Sequence, residues 1–159
     1  MTAEEAFDRY HQAVFQFAYR LTMRADVAED ITQECFLALV QAPGRFDASR
    51  GPIKTYLFGI ARNLVLKELR DSHGETVLEE APAPVERPGA ELASVVAQAV
   101  AALPPLQREA VVLFEYEGFT LEEIAEVTGA DTNAIKSRLH RARESLKKAL
   151  RPKERVRDV

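Results

Sequence analysis

Residues 120–150 read TLEEIAEVTGADTNAIKSRLHRARESLKKAL, and their punctuation decides the fold. Thr120 followed by Glu123 has the spacing of a capping box: a hydroxyl for one orphan amide of a helix start, a carboxylate for another. Gly129 stops that short helix, and Asp131 is suited to N-cap the next. In the second helix Ile135, Leu139, Ala142, Leu146 and Leu150 recur at helical spacing as one apolar seam. Ile124, Ala125 and Val127 supply the inner side of the first. Helix, glycine turn, helix is the layout of a helix-turn-helix.

With that seam turned inward, Lys136, Ser137, His140, Arg141 and Glu144 face outward. The amino-terminal part of such a helix enters the major groove. There Arg or Lys can hold guanine bidentately, while Ser and His serve as shorter polar readers. Arg138, Arg143, Lys147 and Lys148 lie to the sides and beyond, where phosphates run and contacts position the helix without reading bases. A solvated basic helix would need neither cap nor turn nor seam, and here all three agree. A membrane-surface helix would need the apolar face that the domain core consumes.

Charge is sorted along the chain. The formal net charge is -4, yet residues 132–157 carry ten bases against Glu144 and Glu154. Residues 71–91 carry six acids against Arg87 alone, with three prolines and two glycines. The basic end suggests a polyanionic partner, and the acidic stretch a solvated linker. One cysteine, Cys35, leaves no internal disulfide or cysteine-based zinc site and points to a reducing, cytoplasmic compartment. The amino terminus lacks a signal-peptide layout, and no apolar run suits membrane insertion. His11, His73 and His140 are scattered, and no glycine-rich phosphate loop occurs, so neither enzyme activity nor a cofactor is expected.

Upstream, Phe7, Tyr10, Val14, Phe17 and Leu21 predict a first helix. A second is predicted over about 26–41, with Val27, Ile31, Cys35, Ala38 and Leu39 inward and Pro43-Gly44 as its stop. A loop over 45–52 precedes a third helix with Ile53, Tyr56, Leu57, Ile60, Ala61 and Leu64 inward. Beyond the linker a helix over 91–103 should bury Leu92, Val95, Val96 and Ala99. Pro104-Pro105 opens another, ended by Gly118. The expected fold is all-α: two small helical domains, residues 1–70 and 91–152, joined by a flexible acidic linker over 71–90.

These residues resemble the extracytoplasmic-function (ECF) sigma factors of bacterial RNA polymerase. The stretch LPPLQREAVVLFEYEGFTLEEIAEVTGADTNAIKSRLHRARESLKKAL looks like region four of that family, and IKSRLHRARESL is close to its "VKSRLHRARxxL". AEDITQECFLAL resembles the region-two pattern "AEDLVQExFLxx", and IKTYLFGIARNLVLKELR resembles "fxxWLxxIARNxxxdxxR". The two matches stand in the family's order on either side of the acidic segment. Tyr56 stands where the family usually has Trp, and Leu106 where a basic residue is common.

The resemblance implies a factor that gives core polymerase its promoter choice and opens the DNA, with no catalysis of its own. Region two, residues 1–70, would bind the polymerase clamp and the minus-ten element; region four, residues 91–152, the minus-thirty-five element and the flap. The clamp contact falls on Asp30, Gln33 and Glu34, which otherwise read as a solvated acidic face near a helix start. Minus-ten contacts fall on Lys54, Arg62, Asn63 and Lys67. Asn can pair with a base edge and the cations can hold single-strand phosphates; Arg62 is equally suited to a scaffold ion pair. The loop from Phe46 to Lys54 would hold a flipped base, whose unstacking a snug pocket must offset. In region four the recognition residues are Lys136, Ser137, Arg138, His140, Arg141 and Arg143. An anti-sigma protein is an expected partner. The rival reading is a stand-alone helix-turn-helix regulator, which would bind duplex DNA tightly without polymerase.

Overall fold

The computed structural model describes residues 1–74 and 94–151. Within them the chain is helical, and no strand occurs among the described residues. Helix α1 (Ala3–Thr22) opens on a capping box in which Glu5 N–H donates to Thr2 Oγ1 at 3.0 Å and Thr2 N–H to Glu5 Oε1 at 2.7 Å. It ends at Met23, which takes the left-handed conformation (φ 60°) and returns its N–H to Tyr19 O. Helix α2 (Ala25–Gln41) follows at once. The loop expected over 45–52 contains two single 3-10 turns, Pro43–Arg45 and Ala48–Arg50, the second capped by Asp47. Helix α3 (Ile53–His73) runs three residues past the expected domain end at 70. The rest of the expected acidic linker, from residue 75 onward, lies outside the described residues.

Helices α1, α2 and α3 close around Val14, Phe17, Leu21, Ile31, Cys35, Leu39, Leu57, Phe58, Ala61 and Val65, all buried. One seam assignment in this half needs correction: Phe7 is 41% exposed, stacked on His11 and edge-on to Phe36 at the rim. Tyr56 is half-buried against the core, as are Ile53, Ile60 and Leu64, and its pairing with Phe46 at 5.3 Å ties the loop to α3.

The second unit begins with α4 (Val95–Ala101), whose N-cap Ser94 accepts from Ala97 N–H. Of the predicted inner face, Val95 and Val96 are exposed, Ala99 is half-buried and Leu92 lies outside the described residues; Val100, Ala101 and Leu103 are the buried positions. So short a helix buries only its carboxy-terminal end, next to the Pro104 break. Helix α5 (Pro105–Val111) carries proline in its first turn, then widens into a π turn over Val112–Tyr116. Helix α6 (Leu121–Thr128) has the predicted capping box, with bonds of 2.9 and 3.1 Å between Thr120 and Glu123. Gly129 turns it off at φ 77°, where a Cβ would be strained. Asp131 caps α7 (Thr132–Ala149) by accepting from Ala134 N–H at 2.8 Å. Ile135, Leu139 and Ala142 are buried and Leu146 is half-buried; Leu150, expected on the seam, lies past the helix end and is exposed.

The two units are packed together. Helix α3 lies along α6, and α1 meets α5 and the π turn, so one continuous apolar cluster spans both halves. At Gly59 a Cβ would meet Val127 O at 3.7 Å, an ordinary contact distance, so α3 and α6 run close together at this point. Phe119 packs edge-on against Phe58, with ring centroids 5.1 Å apart. Arg108, 1% exposed, donates to the Leu21 carbonyl at the end of α1 and, at 3.1 Å, to Leu103 O in its own unit. Those carbonyls belong to a helix end and a turn, where intrahelical donors run out.

Candidate nucleic-acid and polymerase interfaces

Helix α7 turns its predicted reading face to solvent: Lys136, Ser137, His140 and Arg141 are all exposed. They are held there by burial of the opposite face and by the Asp131 cap, which together fix the helix's rotation and its start. Arg143 is exposed but occupied, 3.7 Å from Glu115 and over the Phe114 ring at 5.6 Å. Arg138 departs from the others. It is half-buried, and its Nη1 is enclosed without a hydrogen-bond partner. Its charge helps to hold the buried Glu109 carboxyl down, against the stronger upward push of desolvation and beside the larger effect of Arg62. Arg138 therefore faces the body of the second unit, where a cation beside a buried carboxylate is stabilised.

Of the predicted minus-ten residues, Lys54, Arg62 and Asn63 lie on the α3 side that meets the second unit, whereas Lys67 turns toward α2. Arg62 is 14% exposed and gripped by Glu109, Nε to Oε2 at 2.6 Å and Nη2 to Oε1 at 3.4 Å. Of the two readings of Arg62, the ion pair is the one realised in this conformation. Lys54 Nζ lies 5.0 Å from the Phe119 ring centroid and 5.8 Å from that of Phe58. Asn63 is exposed at the edge of a cavity of about 290 Å³ walled by the loop (Arg45, Phe46, Arg50), by Tyr56 and by Glu126 and Val127 of α6. Lys67 is exposed and bonds Asp71 at 3.1 Å, one turn on. The loop and α3 thus wall a cavity with aromatic and cationic side chains, one side of which is supplied by the other unit.

On α2, Asp30, Gln33 and Glu34 are exposed opposite buried Ile31 and Cys35. Asp30 and Glu34 edge a shallow cleft shared with Lys67, Glu68 and Asp71. Gln33 borders an apolar groove between α1 and α2, with Phe7, Phe36, Leu37 and Val40 along it and a volume of about 620 Å³. Leu37 and Val40 are 52% and 59% exposed. Apolar side chains gathered on one open face mark a docking surface more often than isolated ones do. Sequence reasoning missed this groove, although Leu37 and Val40 fall four and seven residues after Gln33, on the helix's outward side.

Cys35 is buried, and its thiol donates to Leu57 O at 3.2 Å. Burial pushes its pKa up to about 12, which holds it as a neutral core thiol. No helix among the described residues is long and apolar enough to cross a membrane.

Comparison with known proteins follows the same division. The family model for Sigma-70 region 2 matches residues 6–74, and that for Sigma-70 region 4 matches residues 94–146. The chain is 29% identical to the ECF RNA polymerase sigma factor SigW of Bacillus subtilis, over 91% of this chain and 86% of SigW. It is 30% identical to SigL of Mycobacterium tuberculosis (91% of this chain, 86% of SigL) and 31% identical to CarQ of Myxococcus xanthus (92% and 88%). Among solved structures, the sigma factor RpoE of Bartonella quintana, in complex with the anti-sigma factor NepR, superposes with a TM-score of 0.73. It shares 27% identity over 92% of this chain and 95% of RpoE. CnrH, in complex with the cytosolic domain of CnrY, gives the same TM-score and identity over 93% and 86%. A helix-turn-helix unit joined to an α-helical partner, with full-length relatives of one kind, leads to one assignment: the chain belongs to the ECF sigma factors of RNA polymerase.

Proposed function

We propose that this chain binds core RNA polymerase, selects and melts promoters for transcription initiation, and works in the cytoplasm on the nucleoid. The observation that carries the reading is α7. An exposed row of Lys136, Ser137, His140 and Arg141 backs onto a buried seam, in a helix whose start is fixed by a cap. In this reading those four side chains meet base edges of the minus-thirty-five element, and Arg143 and Arg138 flank phosphates. Arg143 and Arg138 must first give up the internal carboxylates they now accompany. Lys54, Arg62, Asn63 and Lys67 engage the minus-ten strand, whose flipped base enters the pocket beside Phe46 and Tyr56. Asp30, Gln33 and Glu34, with the apolar groove beside them, dock the polymerase clamp; the second unit meets the flap. The reading assigns residues 1–70 and 91–152 to these separate tasks, with 71–90 as the tether. An anti-sigma protein is a fitting inhibitor, since RpoE was solved in complex with the anti-sigma factor NepR.

Run-off transcription with purified core polymerase and a candidate promoter, with and without this protein, is the test. Initiation that depends on the protein, with little stable duplex binding by the protein alone, is expected. Tight specific duplex binding without polymerase and no added initiation would overturn the reading in favour of a stand-alone regulator.

A further inference from the structure

Two of the side chains assigned above to the minus-ten strand, Arg62 and Lys54, are engaged by the second unit in this conformation, while Asn63 and Lys67 stay exposed. Arg62 spends its guanidinium fork on Glu109, Lys54 faces Phe119, and the cavity beside Asn63 is walled by Glu126 and Val127. We propose that the second unit is an intramolecular cover for the minus-ten strand site, latched by Glu109 occupying on Arg62 the place that a DNA phosphate takes. The inference rests on the functional reading above and adds a regulated state of that same site.

The chemistry of the latch fits the substitution. A guanidinium presents the same planar fork to a carboxylate as to a phosphate, so the two anions compete for one set of donors. Glu109 is 1% exposed, and Arg62 is enclosed with it, so a phosphate cannot reach Arg62 while the units stay docked. Glu126 lines the same cavity as Arg45 and Arg50, so the second unit adds a negative charge there that disfavours a polyanion. Two more contacts hold the cover at its other end. Arg20 of α1 lies over the Tyr116 ring at 4.3 Å and reaches Glu117 at 3.8 Å.

A buried ion pair is costly to break when one charge is left alone. The structure supplies a second partner on each side. Once the units separate, Arg62 is open to a DNA phosphate. Glu109 retains the charge of Arg138, whose enclosed Nη1 has no hydrogen-bond partner and whose charge already opposes the upward push on the Glu109 carboxyl. Opening is then an exchange of partners.

The test uses the full chain with spin labels at Asp8→Cys and Ser145→Cys, both on exposed positions, and a single-stranded oligonucleotide of the minus-ten sequence defined by the run-off assay. Pulsed electron resonance should give a dominant short inter-label distance for the unsubstituted background. Glu109→Gln should lengthen it and tighten oligonucleotide binding about tenfold, the gain expected when a state populated at about one in ten becomes dominant. Gly59→Leu, which inserts bulk between α3 and α6 without altering charge, should lengthen the distance as well. A distance unchanged in both variants would overturn the latch. A longer distance in Glu109→Gln with no gain in oligonucleotide binding would overturn the cover. Run-off initiation by the unsubstituted protein is read separately: its absence sinks the sigma reading, whereas initiation alongside unchanged distances sinks the latch alone.

Discussion

Phe119 is the apolar anchor between the two units, and Phe119→Ala measures what docking contributes. The ring is 5% exposed although it sits in a short connection between the π turn and α6. Its aromatic partner Phe58 and its cation Lys54 both belong to α3, so the substitution removes contacts made across the interface. Truncating a buried Phe costs about 3–5 kcal/mol, most of it lost burial and the cavity left behind. The edge-on pair with Phe58 accounts for roughly 0.5–1.5 kcal/mol of interaction beyond area, and the cation over the ring for about 0.5–1. Because Phe58 stays within the α1–α3 core, the loss should fall on docking and leave that unit folded. Urea unfolding followed by far-ultraviolet circular dichroism should change from one transition to two, and small-angle scattering without urea should show a larger radius of gyration. If Phe119→Ala unfolds in one transition within about 0.5 kcal/mol of the parent, at unchanged radius, the anchor role is refuted.

Arg108→Lys retains a buried charge but cannot span the Leu21 and Leu103 carbonyls together, so one buried acceptor loses its donor; thermal melting should show a loss of about 1–3 kcal/mol. Cys35, with its pKa raised to about 12, should react with a thiol reagent at pH 8 far more slowly than a free thiol, and full reactivity in the native chain would contradict its burial. Arg141→Ala should relax promoter preference at one base pair while Lys147→Ala weakens binding evenly and flattens its salt dependence; equal use of every promoter variant by Arg141→Ala would sink the base-reading assignment. Burial raises the Glu109 carboxyl, with Arg62 opposing; a raised folded pKa means stability present below the unfolded carboxylate range and lost as pH climbs through the folded value. Stability measured against pH should therefore lose that falling component in Glu109→Gln, and an identical profile would refute it.

What was legible in the sequence is whatever local chemistry decides. The capping box at Thr120 and Glu123, the glycine at 129 and the cap at Asp131 each act within a few residues, and each is found as read. The seam of α7 follows from one period on one helix, so Ile135, Leu139 and Ala142 are buried as expected. Short α4 failed because period alone cannot say which end of a two-turn helix reaches the core. Val95 and Val96 have the right spacing and lie in the open. Leu37 and Val40 failed in the opposite sense: they lie off the stripe, and an apolar side chain off the stripe carries no local signal of what it waits for.

The interface between the units was the least legible feature, and its chemistry explains why. Arg62, Arg108, Glu109 and Glu117 are charged residues, which composition and pattern place on a solvated face. A charge becomes a buried structural element only when a partner neutralises it or satisfies its donors. For Arg62 that partner is 47 residues away, and for Arg108 the Leu21 carbonyl is 87 residues away. No period or local motif encodes either meeting. The same reasoning separates the candidate sites. The exposure of Lys136, Ser137, His140 and Arg141 was readable because it follows from the apolar seam of their own helix, whereas the state of Lys54, Arg62 and Asn63 depends on whether the second unit is docked. A residue's type and spacing can nominate it for DNA; whether it is available for DNA is a property of the packing equilibrium.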